Sequence, residues 1–486
     1  MKILLVNPAF NYNNKNLLYS EPLSLAYLAA YLANNYEIKI LDAAAGAIKK
    51  INGGYHFGLM AEEIKERIKN FNPDLVGITC PFSLRNQQVV DIAKLVKSVN
   101  PKIIVVIGGI HPTIFPKETV MNESVDYAII GEGEHSFLSL VKEIESGKPN
   151  SEFKVDGCAY KTGAGVFSTP KTEFIADLDS LPLPARDLLP IEFYISKPTI
   201  IYGLGRRRSL NIITSRSCPN HCTFCSMRLS HGSKWRGRSA ENVFEEIKFL
   251  VDKYNIEELF IMDDNLTYDK DRIIKICELI LKHGIKIKWN TPNGVAAIML
   301  DEEVLKIMKK AGCINICIGV ESGNKMVRNQ IIRKGLSDET IRNVLNICKK
   351  VKMPVSGFFI LGIPGENEET FKDTLAMIKK YPFSMVTTSF FTPLPGTEIY
   401  DQCVQNNYIK NDYWKEVEKF NSPIVETPDF SQADLRNWEK KLYIAFFKSH
   451  FWSLFFSVIT FRNSFFRFQM IKRFVIEKII NHKSQC

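Results

Sequence analysis

The stretch Cys218–Cys225, with the sequence CPNHCTFC, lies a few residues beyond the apolar run Leu210–Ile213. Its three cysteines, Cys218, Cys222 and Cys225, have Cys-x3-Cys-x2-Cys spacing. A loop this compact can direct three thiolates at one iron–sulfur cube, each thiolate binding a different iron. The fourth iron then has no protein ligand nearby and stays open, as a catalytic metal position must. The spacing therefore predicts a catalytic cluster at this loop.

Two other interpretations apply to the same three cysteines. They are typical of a structural zinc knuckle if His221 or His231 supplies the fourth ligand. Such a site usually shows a second Cys/His pair about 12–20 residues further on, and none follows here. Free cysteines are also commonly buried in a core without any function. The flanking sequence favours the cluster over both interpretations.

This cysteine loop resembles that of the radical S-adenosylmethionine (SAM) superfamily, whose 4Fe-4S cluster binds SAM through the open iron. The resemblance implies that Cys218, Cys222 and Cys225 are both cluster ligands and catalytic residues. It also implies that Phe224 lies against the adenine of SAM, since the family places an aromatic residue just before the third cysteine.

The bulk composition is that of a globular protein with several domains. At 486 residues, with 45% hydrophobic and 24% charged residues, the chain can form two or three substantial cores. Its 11 cysteines are scattered, and the apolar run Met1–Val6 is too short for a signal peptide. We therefore expect a reducing cytoplasm, which suits an oxygen-sensitive cluster. The net charge of +10 comes with no nucleic-acid-binding signature, so no nucleic-acid partner is expected.

Short apolar runs alternate with amphipathic stretches over residues 1–150. The predicted strands are Ile3–Val6, Ile38–Leu41, Leu75–Thr79, Ile103–Ile107 and Tyr127–Ile130. The predicted helices lie near Leu23–Leu32, Met60–Ile68, Val89–Val99 and Ser136–Ile144. This alternation predicts a doubly wound parallel sheet with helices on both faces, which binds ligands beyond the carboxyl ends of its strands.

Two glycine-rich loops follow the fourth and fifth predicted strands. The first contains Gly108, Gly109, His111 and Pro112, and the second contains Gly131 and Gly133. Glycine lets the backbone approach a flat or anionic ligand closely, although a tight strand-to-helix turn would explain the same residues.

These loops resemble the cobalamin-binding domain that precedes many radical SAM domains. The resemblance implies a flavodoxin-like fold and assigns the six residues of both loops to cobalamin binding. One departure concerns Asp42–Ala47, which has alanine where classical corrinoid modules place the histidine that ligates cobalt. Bound cobalamin is therefore expected to lack a lower histidine ligand. The alternative is a domain that serves only as a scaffold.

The remaining sequence predicts a linker over 151–206 and a second α/β domain over 207–400. Its predicted strands are Leu210–Ile213, Leu259–Met262, Ile285–Asn290, Ile314–Val320, Val355–Leu361 and Val386–Phe391. Six strand–helix units are too few to close an eight-stranded barrel, so a partial (β/α)6 barrel is expected. Its functional groups should gather at the carboxyl ends of the strands.

Asp263 and Asp264 follow the second predicted strand of this barrel. The family often has a Gly-Gly-Glu run at this place, which contacts the amino group of SAM. The resemblance therefore implies that both aspartates bind SAM, since a carboxylate can accept from an ammonium group. The alternative is a helix N-cap before Leu266.

Two further segments resemble the family. Glu321 and Ser322 match its glutamate–serine–glycine run after the fourth strand, and this implies contacts with the ribose or the ammonium of SAM. Trp235–Ser239 resembles a Trp-Arg-x-Arg-Ser run of the cobalamin-binding branch. The alternative for this run is a turn in which Ser239 caps the next helix.

The C-terminal extension, 401–486, is rich in aromatic and basic residues. Lys448, Ser449 and His450 interrupt its most apolar run, so a membrane span is not predicted. A helical cap that covers the barrel mouth is favoured, and contact with a bilayer surface is an additional prediction.

The resemblance implies a cobalamin-dependent radical SAM enzyme that methylates an unactivated carbon. The alternative is a radical cyclase or another ring-forming enzyme acting on a tetrapyrrole-like or lipid-like substrate. A non-catalytic metal-binding adaptor on a membrane surface is a third hypothesis. The expected partners are a small, apolar or lipid-like substrate and a reductant such as ferredoxin or flavodoxin.

Overall fold

The structure, a computed structural model, describes residues 1–12, 19–163, 165–197, 207–410 and 422–460, except the side chains of 451–460. The described residues form two compact units. The first contains the described residues up to Lys197 together with Ser226–Arg236, and the second contains the others.

A seven-stranded sheet is the centre of the first unit. The strands of this unit are β1 (Lys2–Asn7), β2 (Phe10–Tyr12), β3 (Glu37–Asp42), β4 (Ile48–Ile51), β5 (Gly54–Phe57), β6 (Leu75–Thr79), β7 (Ile104–Gly108), β8 (Tyr127–Ile129), β9 (Cys158–Thr162) and β10 (Gly165–Ser168). The sheet has the order β10-β9-β8-β7-β6-β1-β3. From β3 to β8 the strands are parallel, in the flavodoxin-like order, whereas β9 and β10 are antiparallel additions from the segment predicted as a linker. A separate small sheet has the order β2-β5-β4.

Helices cover both faces of this sheet. The helices of the unit are α1 (Leu23–Leu32), α2 (Ala61–Phe71), α3 (Asn86–Val99), α4 (Ile110–Ile114), α5 (Pro116–Met121), α6 (Gly133–Glu145), α7 (Ile191–Ile195) and α8 (Met227–His231). Along β1, Leu4 and Val6 pack into one core with residues of α2 and α3. Ile3 and Leu5 point to the opposite face and pack with residues of α1 and α6. An apolar strand that is buried on both faces is typical of a central parallel strand.

The second unit is built on a six-stranded parallel sheet. Its strands are β11 (Ser209–Ile212), β14 (Glu258–Ile261), β15 (Lys288–Thr291), β16 (Cys313–Glu321), β17 (Val355–Leu361) and β18 (Met385–Phe390), in that order across the sheet. Two short strands, β12 (Ser215–Arg216) and β13 (Arg236–Gly237), have two residues each. The helices are α9 (Ala240–Tyr254), α10 (Lys270–Lys282), α11 (Glu302–Lys310), α12 (Asp338–Val351), α13 (Glu368–Lys380), α14 (Glu398–Gln405) and α15 (Gln432–Thr460). The predicted fold class is confirmed.

The helix α15 packs beside the edge strand β18. The Tyr443 hydroxyl accepts a hydrogen bond of 3.0 Å from the backbone N–H of Thr388, and the Thr388 hydroxyl donates to Glu439 over 3.2 Å. Trp438 packs against Phe371 of α13. The helix therefore covers one flank of the barrel. Among the helices of the described residues, none is long and apolar enough to cross a membrane. Most of the basic aromatic tail on which bilayer contact was predicted lies outside these residues.

Candidate active site

The cysteine loop begins shortly after the carboxyl end of β11. Of its three cysteines, Cys222 is buried and Cys218 and Cys225 are half-buried. The backbone N–H of Cys225 donates to the carbonyl of Cys222 over 3.1 Å, which closes the turn between the second and third cysteines. Thr223 anchors the loop, because its N–H donates to the carbonyl of Ile332 over 3.0 Å and its hydroxyl donates to the carbonyl of Ile331 over 2.8 Å.

The donor set fits an iron–sulfur cluster. Cysteine thiolates are the ligands that such clusters use. The side-chain amide of Asn265 donates to the Cys218 sulfur over 3.7 Å, and hydrogen bonds of this kind tune clusters. Within the described ranges, no three His, Cys, Asp or Glu side chains are arranged around one metal-ion position. The ligands of an iron–sulfur cube need not converge on one point, since each binds a different iron.

Asp263 braces the start of the cysteine loop. It is 1% exposed, and its carboxylate accepts three hydrogen bonds of 2.6 Å, from the N–H and hydroxyl of Thr214 and from the hydroxyl of Ser215. Both carboxylate oxygens are therefore engaged inside the protein, which differs from the contact with SAM expected for this residue. Asp264 is half-buried, and one of its oxygens accepts from the N–H of Ser217 over 3.2 Å. The N-cap position before the next helical turn belongs to Asn265.

Glu321 forms an ion pair that the sequence analysis did not predict. At the end of β16, its carboxylate lies 2.7 Å from the Lys334 ammonium, and the two side chains are 9% and 21% exposed. Its φ of 66° is unusual for a residue other than glycine. A Cβ atom on Gly319 would lie 2.4 Å from the Glu321 carboxylate and 2.8 Å from the Lys334 nitrogen. Lys334 is the central residue of the Arg-Lys-Gly run that follows Glu321 in the sequence. This run was the only feature of the sequence that pointed to Lys334.

Ser322 lies beside Glu321 but faces its own loop. It is fully buried, its hydroxyl accepts from the N–H of Asn324 over 3.2 Å, and its carbonyl accepts from Arg328 over 2.8 Å. Arg328 is itself fully buried and also donates to Leu336 over 2.7 Å. Ser322 and Arg328 therefore hold the loop that presents Glu321.

Glu366 is a buried carboxyl group after β17 that the sequence analysis did not select. One of its oxygens accepts from the N–H groups of Gly362 and Ile363 over 2.8 and 3.0 Å. The other has no hydrogen-bond partner among the residues that the structure describes. Burial raises the pKa of Glu366 to about 8, against the opposing effect of the two backbone hydrogen bonds. At neutral pH this carboxyl group is mostly protonated.

The two predicted cobalamin loops follow the carboxyl ends of β7 and β8 in the first unit. The N–H of Gly131 donates to the Thr113 hydroxyl over 2.8 Å, so the two loops are joined. A Cβ atom on Gly108 or Gly133 would make an ordinary van der Waals contact with Ile129, at 3.9 Å. Gly109 has a φ of 114°, and a Cβ there would lie 2.5 Å from a backbone oxygen.

His111 and Pro112 are buried at the start of α4. The Nδ1 atom of His111 has no hydrogen-bond partner within the described part of the chain. Burial lowers the pKa of its imidazole to about 4, so the ring is neutral at pH 7. A buried, unpartnered polar atom next to a glycine-rich loop fits a cofactor with many amide groups, such as cobalamin. Gly131, in contrast, packs against Lys171.

Asp42 ends β3 and has partners of its own. Its carboxylate accepts from the side-chain amide of Asn7 over 2.8 Å and from the hydroxyl of Tyr194. Burial raises the pKa of Asp42 despite these hydrogen bonds. Ala44, which stands at the position of the corrinoid histidine, is buried. Asp42, the first residue of this stretch, is therefore held by a tyrosine and an asparagine.

Glu132, between the two glycines of the second loop, is the centre of a buried ionic cluster. Arg236 forms two hydrogen bonds with its carboxylate, of 3.0 and 2.6 Å, and His231 lies 3.1 Å away. The side chains of Glu132 and Arg236 are 2% and 5% exposed. Arg236 comes from the Trp235–Ser239 run, in which Ser239 caps α9 as the alternative interpretation predicted.

Family models match both units. Residues 212–378 match the model of the radical SAM superfamily, and residues 15–141 match that of the B12 binding domain. An uncharacterized methyltransferase of Pyrococcus horikoshii is 32% identical over 451 residues, which are 92% of either chain. Cytidylyl-2-hydroxyethylphosphonate methyltransferase of Streptomyces wedmorensis is 31% identical over 84% of this chain and 82% of its own. Anaerobic magnesium-protoporphyrin IX monomethyl ester cyclase of Rubrivivax gelatinosus is 27% identical over 92% and 77%.

Two solved structures share the fold. The cobalamin-dependent enzyme OxsB, with aqua-cobalamin and SAM bound, has a TM-score of 0.73 at 19% identity and covers 99% of this chain and 72% of its own. The radical SAM methyltransferase TsrM of Kitasatospora setae, with cobalamin and a 4Fe-4S cluster bound, has a TM-score of 0.64 at 17% identity. It covers 85% of this chain and 80% of its own.

Proposed function

Because the chain belongs to the radical SAM superfamily, in the branch with a B12-binding domain ahead of the radical SAM domain, we propose that it methylates an unactivated carbon of a small molecule. The observation that carries this proposal is the set of three cysteines, Cys218, Cys222 and Cys225, in one partly buried loop beyond the carboxyl end of a barrel strand. These cysteines would hold the cluster, which would supply the electron for reductive cleavage of SAM, and cobalamin would supply the methyl group.

The residues at the strand ends divide into two groups. Asp263 and Ser322 form hydrogen bonds within the protein and hold their loops in place. Glu321, Asp264 and Phe224 stand beside the cysteine loop or within it and are proposed to contact SAM. Carboxylates suit the ammonium and hydroxyl groups of SAM, which are hydrogen-bond donors.

In the first unit, we assign the cobalamin contacts to the loops after β7 and β8. The absence of side chains at Gly108 and Gly133 permits close approach of a corrin or its nucleotide to the backbone. The neutral His111 ring can donate or accept one hydrogen bond, depending on its tautomer. Gly109 and Gly131 give these loops their backbone shape, since both have positive φ values.

The partners follow from the chemistry of the family. Cleavage of SAM consumes one electron, so a one-electron donor such as ferredoxin or flavodoxin is needed. An apolar or lipid-like substrate, peripheral membrane contact through the C-terminal segment and a cytoplasmic location stay predictions. The domain limits 1–150, 151–206, 207–400 and 401–486 are likewise proposals.

The test uses anaerobically reconstituted protein with hydroxocobalamin, a reductant and SAM labelled in its methyl group. We expect 5′-deoxyadenosine, and label in the product of one compound from a panel of apolar small molecules. A variant with all three cluster cysteines changed to alanine is the control and should form neither product. Product formed without label would replace the methyltransferase proposal with the cyclase-type reaction that the Rubrivivax relative's name describes. Absence of 5′-deoxyadenosine from cluster-loaded protein would refute radical chemistry altogether.

A further inference from the structure

Lys334 is brought to the cysteine loop by backbone hydrogen bonds. Thr223, between the second and third cysteines, donates through its N–H to Ile332 and through its hydroxyl to Ile331. Lys334 follows two residues after Ile332, and its own N–H donates to the carbonyl of Arg328 over 2.9 Å. The segment that carries Lys334 is therefore fixed to the cysteine loop.

Lys334 carries its charge next to the cysteine loop. Its ammonium lies 2.7 Å from the Glu321 carboxylate at the end of β16, and its backbone is two residues from the Ile332 carbonyl that accepts from Thr223. Burial opposes the charged form of Lys334, but Glu321, Cys222 and Cys218 favour it and raise its pKa. The structure thus places a cation with a carboxylate partner next to the cysteine loop.

We propose that Lys334 raises the reduction potential of the cluster bound by Cys218, Cys222 and Cys225, and that Glu321 opposes this effect. The inference rests on the proposed function, since it requires the cluster. Three thiolates leave a 4Fe-4S cluster with net negative charge, and reduction adds one more. A nearby ammonium group stabilises the reduced form more than the oxidised form, and a nearby carboxylate does the reverse. Net charge and burial are known determinants of cluster potentials.

Glycine at 319 is what allows the pair to form beside the strand. A Cβ atom there would come within 2.8 Å of both the Glu321 carboxylate and the Lys334 nitrogen. Arg333, the neighbouring cation, is directed elsewhere, because it forms an ion pair of 2.8 Å with Glu398 and is 55% exposed. Lys334 is therefore the member of this basic run that pairs with Glu321 next to the cysteine loop.

The experiment is a potentiometric titration of the reconstituted cluster without SAM, in which the EPR signal of the reduced form measures how much cluster is reduced. The variants are K334M, K334R and E321Q, with K325M as the matched control, because Lys325 is an exposed lysine on the same loop. At the midpoint potential of the wild type, we expect the ratio of reduced to oxidised cluster to be about tenfold lower in K334M. This corresponds to a midpoint potential that is lower by about 59 mV for a one-electron couple. The midpoint potentials of K334R and K325M should stay near that of the wild type, and that of E321Q should be higher.

Iron and sulfide analysis of each variant verifies that a cluster is present. Cluster-loaded K334M with the same midpoint as K325M would overturn the inference and leave the proposed function untouched. If K334M does not assemble a cluster, E321Q decides, because an unchanged or lower midpoint in that variant contradicts the proposed charge effect. A wild-type protein that assembles no cluster would overturn the proposed function and this inference with it.

Discussion

Replacement of Glu132 by glutamine should destabilise the segment Ser226–Arg236, which directly follows the third cysteine in the sequence. In the wild type, Arg236 is 5% exposed and Glu132 is 2% exposed, and two short hydrogen bonds join them. Glutamine can accept one of these bonds but carries no charge, so the guanidinium remains buried without a counter-ion. Loss of one partner from a buried ion pair costs about 3–5 kcal/mol.

The predicted loss of stability is smaller when the charges of both Glu132 and Arg236 are removed. Arg236 also donates to the carbonyls of Ile175 and His231, over 2.7 and 2.8 Å, and these bonds remain in E132Q. We therefore expect a loss near 3 kcal/mol for E132Q and partial recovery in the double variant E132Q/R236M, which leaves no unpaired buried charge. E123Q, at an exposed glutamate of the same unit, should change the stability by less than about 0.5 kcal/mol.

Amide hydrogen exchange of peptides that cover 226–236 is the assay, because it reports the local opening free energy of this segment. Exchange there should accelerate about a hundredfold in E132Q, as about 3 kcal/mol requires. Chemical denaturation gives the stability of the whole unit for comparison. The reasoning would be refuted if exchange in E132Q were unchanged. It would also be refuted if the double variant E132Q/R236M were less stable than E132Q.

Three further predictions concern the sites. Alanine at Cys218, Cys222 or Cys225 should abolish the visible absorbance of the reconstituted cluster, whereas serine at the buried Cys277 should preserve it. G109A should reduce cobalamin retention at least tenfold in equilibrium dialysis, because its φ of 114° and a Cβ at 2.5 Å from a backbone oxygen both strain the loop. The pKa of Glu366 is raised from 4.5 to about 8, so the folded state keeps a proton that the unfolded chain releases. Stability should therefore fall as the pH rises from about 4.5 to 8, and E366Q should flatten this slope in urea titrations across that range.

The fold could be predicted largely from the sequence because its strands are apolar on both faces. In β1, every residue from Ile3 to Val6 is buried, and this pattern separates a central parallel strand from an amphipathic helix. The strands β9 and β10 were not predicted. Residues Gly165–Ser168 alternate between exposed and half-buried, which gives an edge strand little hydrophobic signal.

The positions of the site residues could be predicted, but the directions of their side chains could not. Asp263 was placed correctly after β14, yet its carboxylate points back to Thr214, because the chain leaves β11 there with donors that need an acceptor. Glu132 and Arg236 are 104 residues apart, so their pairing leaves no local pattern. The Arg-Lys-Gly run contains Lys334, but the ion pair of this residue with Glu321 is visible only in the structure.

The strand-end residues that bind within the protein have a common consequence for the cluster site. Asp263 fixes the start of the cysteine loop, Thr223 fixes its centre and Arg328 fixes the loop of Glu321, in each case through hydrogen bonds to backbone groups. A ligand loop that is held by its surroundings loses little conformational entropy when it binds a cofactor. The cysteine loop should therefore keep its conformation without the cluster, so that the thiols need only lose their protons to bind the iron and sulfide that are supplied. Its amides should then exchange at similar rates in the apo and reconstituted forms, and D263N should accelerate exchange in both.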